Sequence, residues 1–346
     1  MNKPLVSICI ITKNEEKHIG ECLKAIKKAA PDAEIVVVDT GSTDKTVEIA
    51  KEYTDKVFFF EWCDDFSKAK NFAADKASCD YVVSIDADEY IEKIDLSQIV
   101  DFLTKHPNAA GSIRLANLMN TDEGVSKYFI EVTRIYDRRH VHFEDRIHEQ
   151  LKRLDKKKSE VALLNVEATH VGYLISGEEL LLKNKRNIKL LEKELSDNPD
   201  DPYLLFQLGQ SLLSIGEAEK AFNAYSKALD QNPPLDAPYV EPLILGFGDA
   251  SLAAEKFKEA LRLEEYYDEM SHIGDYMYTL GRAYLINERG EDALMAFKLA
   301  TTAKKVYLQG MNDYYPLYAL SVVYENFGET ELSKQYEQEA LKYKRG

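Results

Sequence analysis

The stretch SIDADEY, Ser84 to Tyr90, sets Asp86, Asp88 and Glu89 directly behind an apolar run, YVVSI. Like charges crowded together repel, and burying one alone costs on the order of several kcal/mol. Either these carboxylates turn into water or a cation sits among them. In an extended chain, residues two apart face the same side, so Asp86 and Asp88 form a pair. Oxygen-only ligation of this kind suits Mg2+ or Mn2+, best shared with phosphates. Such an ion offsets the charge that develops as a diphosphate departs. The competing reading makes the acids helix caps ahead of IEKIDLSQIVDFL.

A second group lies in VVVDTGSTDKT, Val36 to Thr46. Asp39 ends an apolar run, Gly41 permits a sharp turn, and Thr43 or Asp44 is placed to cap a following helix. A carboxylate there can accept hydrogen bonds from a nucleobase or ribose. D-T-G-S is also the local motif of aspartic proteases. That chemistry needs two carboxylates sharing a proton on a β-rich fold, and the chain has no second D-T-G.

The elements that carry these residues alternate. LVSICII, AEIVVVD, KVFFF and DYVVSID read as strands. EEKHIGECLKAIKKA, TDKTVEIAKEY and FSKAKNFAADKA read as helices, the first with a stripe at Ile19, Cys22, Leu23 and Ile26. Strands that are apolar throughout and alternate with helices predict an α/β domain with a mostly parallel sheet covered on both faces. Ligands of such sheets bind beyond the carboxyl ends of the strands. The polar strand ends, Thr12 to Glu15, Asp39, and Asp86 with Asp88, are therefore expected along one edge. Residues 1–110 form the nucleotide-binding half of this domain, and residues 111–175, with less regular strands, form the acceptor half.

Residues 176–346 read as wholly helical and repetitive. Leu208, Gly209, Leu212, Gly216, Ala221, Tyr225, Ala228 and Pro233 stand at the offsets of a 34-residue tetratricopeptide unit. Leu280, Gly281, Tyr284, Ala293, Phe297 and Ala300 repeat the pattern with the turn glycine displaced to Gly290. A weaker copy carries Leu320, Tyr324, Gly328 and Ala340, and residues 239–263 read as a degenerate helix pair. Stacked pairs of this kind bury a continuous core.

The whole chain of 346 residues carries 60 acidic against 44 basic side chains, a net charge of −16. That argues against general nucleic-acid binding. From Lys127 to Lys158, however, ten Lys or Arg stand against six acids, a local zone suited to an anionic ligand. No apolar run reaches the ~18 residues of a membrane span. VSICII reads as a strand rather than a signal peptide. The four cysteines show no metal spacing and read as free thiols of a cytoplasmic protein.

Taken together, SICIITKNEE, VVVDTGSTDKTVEIA, FEWCDDFSKAKNFAADKA, YVVSIDADEY and RIHEQL resemble the family 2 glycosyltransferases with a GT-A fold, a Rossmann-like architecture. Among these, the chain is most similar to members with tetratricopeptide repeats behind the transferase domain, including the S-glycosyltransferases that modify bacteriocin peptides. The resemblance implies an inverting hexosyltransferase that uses a UDP-sugar and Mg2+ or Mn2+ and acts on a Cys, Ser or Thr side chain of a peptide or protein. A lipid-linked or polysaccharide acceptor is the alternative, as is a non-catalytic repeat scaffold with a degenerate transferase domain. The repeats would recruit the acceptor or form a homodimer.

By the same resemblance, Thr12, Asn14 and Glu15 lie near uracil and ribose, and Asp39 binds the uridine. Lys70 stands where the family usually has an arginine facing the diphosphate; Lys keeps the charge and loses the bidentate fork, and Lys68 is a nearby substitute. Asp86 and Asp88 are the D-x-D pair, with Asp88 the direct metal ligand. The inverting reaction needs a base for the acceptor proton, and RIHEQ, Arg146 to Gln150, supplies candidates. Glu149 would be the base, His148 would complete the metal shell or act as base itself, and Arg146 would hold phosphate. The bland alternative for RIHEQ is a strand-end salt bridge, and for His170 in EATHVGY a structural role. A cysteine acceptor would need only a weak base, because thiols ionise more readily than hydroxyls.

Overall fold

The computed structural model describes residues 5–121, 124–172, 174 and 177–344. The chain divides into two compact units whose boundaries fall after Met119, Tyr128 and Leu174, so that the segment Asn120–Tyr128 groups with the residues beyond 174.

In chain order the first part runs β1 (Val6–Thr12), α1 (Ile19–Ala29), β2 (Glu34–Asp39), α2 (Thr46–Lys51), β3 (Val57–Phe59), α3 (Phe66–Lys76), β4 (Tyr81–Asp86), β5 (Glu89–Ile94), α4 (Leu96–Lys105), β6 (Ala110–Thr121), β7 (Gly124–Asp137), β8 (Val141–Glu144), β9 (Gln150–Arg153) and β10 (Val161–His170). Eight of these strands form one sheet in the order β3-β2-β1-β4-β7-β6-β10-β5, and β8 with β9 forms a separate hairpin. The expected α/β architecture is present: β1 runs parallel to both β2 and β4, and β2 parallel to β3.

Residue alternation explains how both faces are covered. Val6, Ile8 and Ile10 of β1 pack with Ile35 and Val37 of β2 under the Ile19, Cys22, Leu23 and Ile26 stripe of α1. Cys9 of β1 points the other way and joins Val36, Val38 and Val82 beneath Ala73 and Ala74 of α3. Burying each Ile or Leu in such a sandwich contributes about 1.5–3 kcal/mol, so a one-residue slip of register would expose a full row.

Register then fixes the functional edge. Thr12 lies opposite Asp39 and Ile11 opposite Asp86. From the far side of the sheet, β10 sets His170 opposite both Glu89 of β5 and Asn117 of β6.

Two local expectations are corrected. Glu89–Ile94 is a strand, antiparallel to β10, and the helix begins only at Leu96, capped by Asp95, whose side chain accepts the Gln98 N–H. Asp86 and Asp88 are therefore not helix caps. The cap position of α2 is Lys45 rather than Thr43 or Asp44, although the Asp44 carboxylate accepts the Thr46 N–H at 3.0 Å.

Among the described residues, the second unit is helical apart from the 120–128 segment and its connecting loops. It contains α5 (Gly177–Asp197), α6 (Pro202–Ser214), α7 (Ala218–Asp230), α8 (Val240–Ala253), a 3-10 segment (Glu259–Tyr266), α9 (Tyr267–Met270), α10 (Gly274–Ile286), α11 (Gly290–Thr302), α12 (Tyr314–Asn326) and α13 (Thr330–Leu341). The pairs α6–α7, α10–α11 and α12–α13 are the repeats read from the sequence. Small residues allow the close approach: a Cβ on Gly209 would lie 2.6 Å from the Tyr225 ring, and one on Gly281 2.6 Å from the Phe297 ring. The turns of the first and third repeats use Gly216 at φ +80° and Gly328 at φ +78°, whereas the second uses Glu288 at φ +61°. Within the same unit Tyr128 stacks on Tyr307 with centroids 5.8 Å apart and bridges to Leu308 through the backbone.

Candidate active site

The carboxyl ends of β1 and β2 are stapled to each other. Asn14, at φ +57°, accepts the Thr43 N–H on its side-chain oxygen at 2.8 Å and donates its own N–H to Ser42 Oγ at 2.9 Å. Glu15 donates its N–H to Thr46 Oγ1 at 2.7 Å. The Asp39 carboxylate accepts the N–H groups of Gly41 and Ser42, each at 3.1 Å, and Gly41 takes the turn at φ +107°, where a side chain would strain the backbone. Thr12 is buried beside Asp39, and its carbonyl accepts the Thr40 N–H at 2.9 Å.

The end of β4 is more highly charged. Asp86 Oδ1 meets Lys70 Nζ at 3.1 Å, and the same Nζ meets Glu149 Oε1 at 2.6 Å. Asp86 Oδ2 accepts from Arg134 Nη2 at 2.8 Å, and that nitrogen also donates to Glu89 Oε1 at 3.1 Å. The remaining Glu89 oxygen accepts the Asp86 N–H at 2.9 Å. Arg134 Nη1 faces Glu149 Oε1 at 3.9 Å, which closes the ring. Lys70, on α3, is only 4% exposed.

Electrostatics follow from this packing. Burial works against charge on Asp86, yet Arg134 and Lys70 hold its carboxyl well below the usual carboxylate range. Burial pushes the Glu89 carboxyl up, opposed by Arg134 and reinforced by the charge on Asp86. Arg134 is held in its charged form by Asp86 and Glu89 despite its own burial. The Asp86 side chain nevertheless keeps 35% of its surface open, which leaves it a face for a ligand.

Asp88 meets a different partner. Its Oδ2 lies 3.1 Å from His170 Nε2, and His170 Nδ1 lies 2.7 Å from Asn117 Oδ1. Gly172 packs directly against this pair, where a side chain would clash: a Cβ there would sit 2.0 Å from Asp88 Oδ2 and 2.6 Å from His170 Nε2. A carboxylate oxygen and an imidazole nitrogen side by side are donor types that suit a divalent cation of the Mg2+ or Mn2+ class, with phosphate and water completing its shell. Among the described residues no group of three or more His, Cys, Asp or Glu side chains could hold a metal ion unaided. The histidine that contacts Asp88 at 3.1 Å is His170.

Of the remaining candidates, His148 takes a left-handed backbone at φ +54°, and burial pushes its imidazole down to about 4 against the opposing charge of Glu149. Lys68 stays exposed on α3 and pairs with Asp65 at 3.3 Å. Arg146 is exposed, and its carbonyl accepts the Phe66 N–H at 2.8 Å. The structure therefore gathers Lys70, Asp86 and Glu149, and keeps Lys68 outside that network. Sequence reasoning missed Arg134 and Asn117. One signal pointed to the first: an arginine inside the apolar run RIY of β7 must find carboxylates.

Residues 7–160 match the family model described as Glycosyl transferase family 2. The prophage-derived glycosyltransferase SunS of Bacillus subtilis is 31% identical over 252 residues, which cover 68% of this chain and 57% of SunS. A TPR repeat-containing protein of Synechococcus elongatus is 27% identical over 308 residues, covering 83% of this chain and 72% of that protein. The lipopolysaccharide core biosynthesis glycosyltransferase LpsC of Rhizobium meliloti is 36% identical over 92 residues, covering 25% of this chain and 33% of LpsC. The matched region thus spans little more than half of SunS. With the strand-end charges, the repeats and these likenesses together, the chain belongs to the family 2 glycosyltransferases, with tetratricopeptide repeats behind its transferase domain.

Proposed function

We propose that the protein transfers a sugar from a UDP-sugar to a Cys, Ser or Thr side chain of a peptide or protein, with inversion and with a divalent cation. The observation that carries this reading is the charged ring at the carboxyl edge of the parallel strands, next to the Asp88–His170 pair. Thr12, Asn14, Glu15 and Asp39 line the strand ends suited to uridine. Asp88 and His170 would hold the cation, which would supply counter-charge to the diphosphate. Lys70 and Arg146 offer further positive charge. Asp86 faces the donor sugar. Glu149 takes the proton of the acceptor as its S or O attacks the anomeric carbon, and the bond to UDP breaks with its electron pair leaving on UDP. Burial holds the His148 imidazole down to about 4, which makes it a weak base; Glu149, in contact with Lys70 and facing Arg134 in the charged ring, is taken as the base.

The repeats support a peptide or protein acceptor, or a second copy of the chain, since stacked helix pairs present extended surfaces. The likeness to LpsC favours a second reading, a lipid-linked or polysaccharide acceptor. No helix among the described residues is long and apolar enough to cross a membrane, though peripheral docking needs none. The free cysteines, Cys9, Cys22, Cys63 and Cys79, fit a reducing, cytoplasmic setting.

Calorimetry with UDP and Mn2+ tests the site. Wild type is expected to bind UDP in a metal-dependent manner. Asp88→Ala and Gly172→Ala should each lose that dependence, the first by removing a ligand and the second by a methyl group that pushes Asp88 and His170 out of place. Metal-independent binding that both substitutions leave unchanged would sink the assignment. UDP release that depends on added peptide distinguishes an enzyme from a scaffold.

A further inference from the structure

Arg134 has no part in the motifs, yet it lies at the centre of the charged ring. It sits within β7, beside the fully buried Ile135 and Tyr136. Its Nη2 reaches Asp86 and Glu89 at 2.8 and 3.1 Å, while Nη1 faces Glu149 at 3.9 Å. Lys70 links the other sides of Asp86 and Glu149. Asp86, Lys70, Glu149 and Arg134 thus alternate in charge around a closed square, with Glu89 bracing Arg134 against the Asp86 backbone.

Such a square is a costly way to stabilise a sheet. Buried ion pairs lose hydration that their attraction only partly returns, and apolar side chains of equal volume serve stability as well or better. The Arg134 Nε is itself buried with no hydrogen-bond partner among the described residues. What the square supplies is geometry. Asp86 ends a strand and is held by its register. Glu149 follows His148, whose φ is +54°, and lies between β8 and β9 of the separate hairpin. Among the described residues no ladder joins Glu149 to β4; its loop is tied to α3 through the Arg146 carbonyl, and Glu149 meets Asp86 through the Lys70 and Arg134 side chains.

We propose that Arg134 is a positioning residue for glycosyl transfer, holding the donor-side carboxylate of Asp86 and the acceptor-side carboxylate of Glu149 at a fixed separation. The inference rests on the function proposed above. A planar guanidinium serves these carboxylates from one rigid fork, and an ammonium at the same place cannot. Because the residue acts through Asp86 and Glu149, its loss alters the chemical step and spares nucleotide binding.

The test compares wild type, Arg134→Lys, Glu149→Gln and the double variant in UDP calorimetry, steady-state transfer and thermal unfolding. Arg134→Lys keeps a cation among the buried acids and is the variant expected to fold. Its kcat should fall by about 10–100-fold, as for a misplaced catalytic group, with UDP Kd within about threefold of wild type. In the Glu149→Gln background the same change should cost less than about threefold, because the two residues act as one unit. A folded Arg134→Lys with wild-type kcat overturns the proposal. So does a loss of UDP affinity that parallels the loss of kcat, which would make Arg134 a donor ligand, and so do losses that multiply independently in the double variant. Should Arg134→Lys not fold, Arg134→Gln takes its place in the same comparison, with the same outcomes supporting or overturning the proposal. A wild type that binds no UDP and transfers no sugar overturns the function itself, and this role with it.

Discussion

Burial pushes the His148 imidazole from its ordinary 6.5 to about 4 in the folded protein. The unfolded chain therefore binds a proton between about pH 6.5 and 4 that the native state refuses. Stability contributed by the neutral ring is complete above pH 6.5 and is lost as pH falls through that window. Thermal unfolding across this range should show the Tm of wild type falling faster than that of His148→Gln; parallel curves would remove the assignment. At this scale the sequence was partly legible. Asp39, Asp86 and Asp88 could be placed because each follows an apolar run that reads as a parallel strand, whose carboxyl end faces the ligand edge. His170 could not be matched to Asp88, because the pairing depends on β10 lying between β6 and β5 across the sheet. The role of Lys70 was equally hidden: the family resemblance put it near the diphosphate, but only the fold shows it wedged between Asp86 and Glu149.

Elements were legible where periodicity was long. The α1 stripe and the repeat offsets survive intact because each buried face is built from its own residues. The competing reading of a helix directly behind Asp88 fails at β5 for a physical reason. Ile91, Ile94 and Ile99 fall near helical spacing, but pairing with β10 and burial of Glu89 beside Arg134 override that pattern. A strain of another kind marks the second repeat, where Glu288 occupies at φ +61° the turn position that Gly216 and Gly328 hold in its neighbours. Relief of the left-handed penalty, less the entropy that glycine costs, favours the substitution by about 0.5–1 kcal/mol. Glu288→Gly is therefore expected to raise the denaturant midpoint of the helical unit, and a lower midpoint would refute this account of the turn.

For the molecule as a whole, the sequence divided the chain once, at 175, and the contact pattern divides it three times. The difference arises from segment 120–128, which reads as ordinary strand yet has partners in the loop before α12. Tyr128 stacks on Tyr307, and the Lys127 carbonyl accepts the Gln309 N–H at 2.9 Å. Tyr128→Ala should lower the stability of the helical unit by about 1–3 kcal/mol, measured as an earlier loss of helical ellipticity in denaturant. An unshifted transition would show that the stack contributes nothing.

That borrowed segment bears on any attempt to trade repeat arrays among relatives so as to redirect the acceptor. A chimera joined at a single seam near 175 would set a foreign array against a native Lys127 and Tyr128, leaving an aromatic without its mate and a carbonyl without its donor. A workable swap must exchange the short stretch around 120–128 together with the array, as two pieces of one cassette.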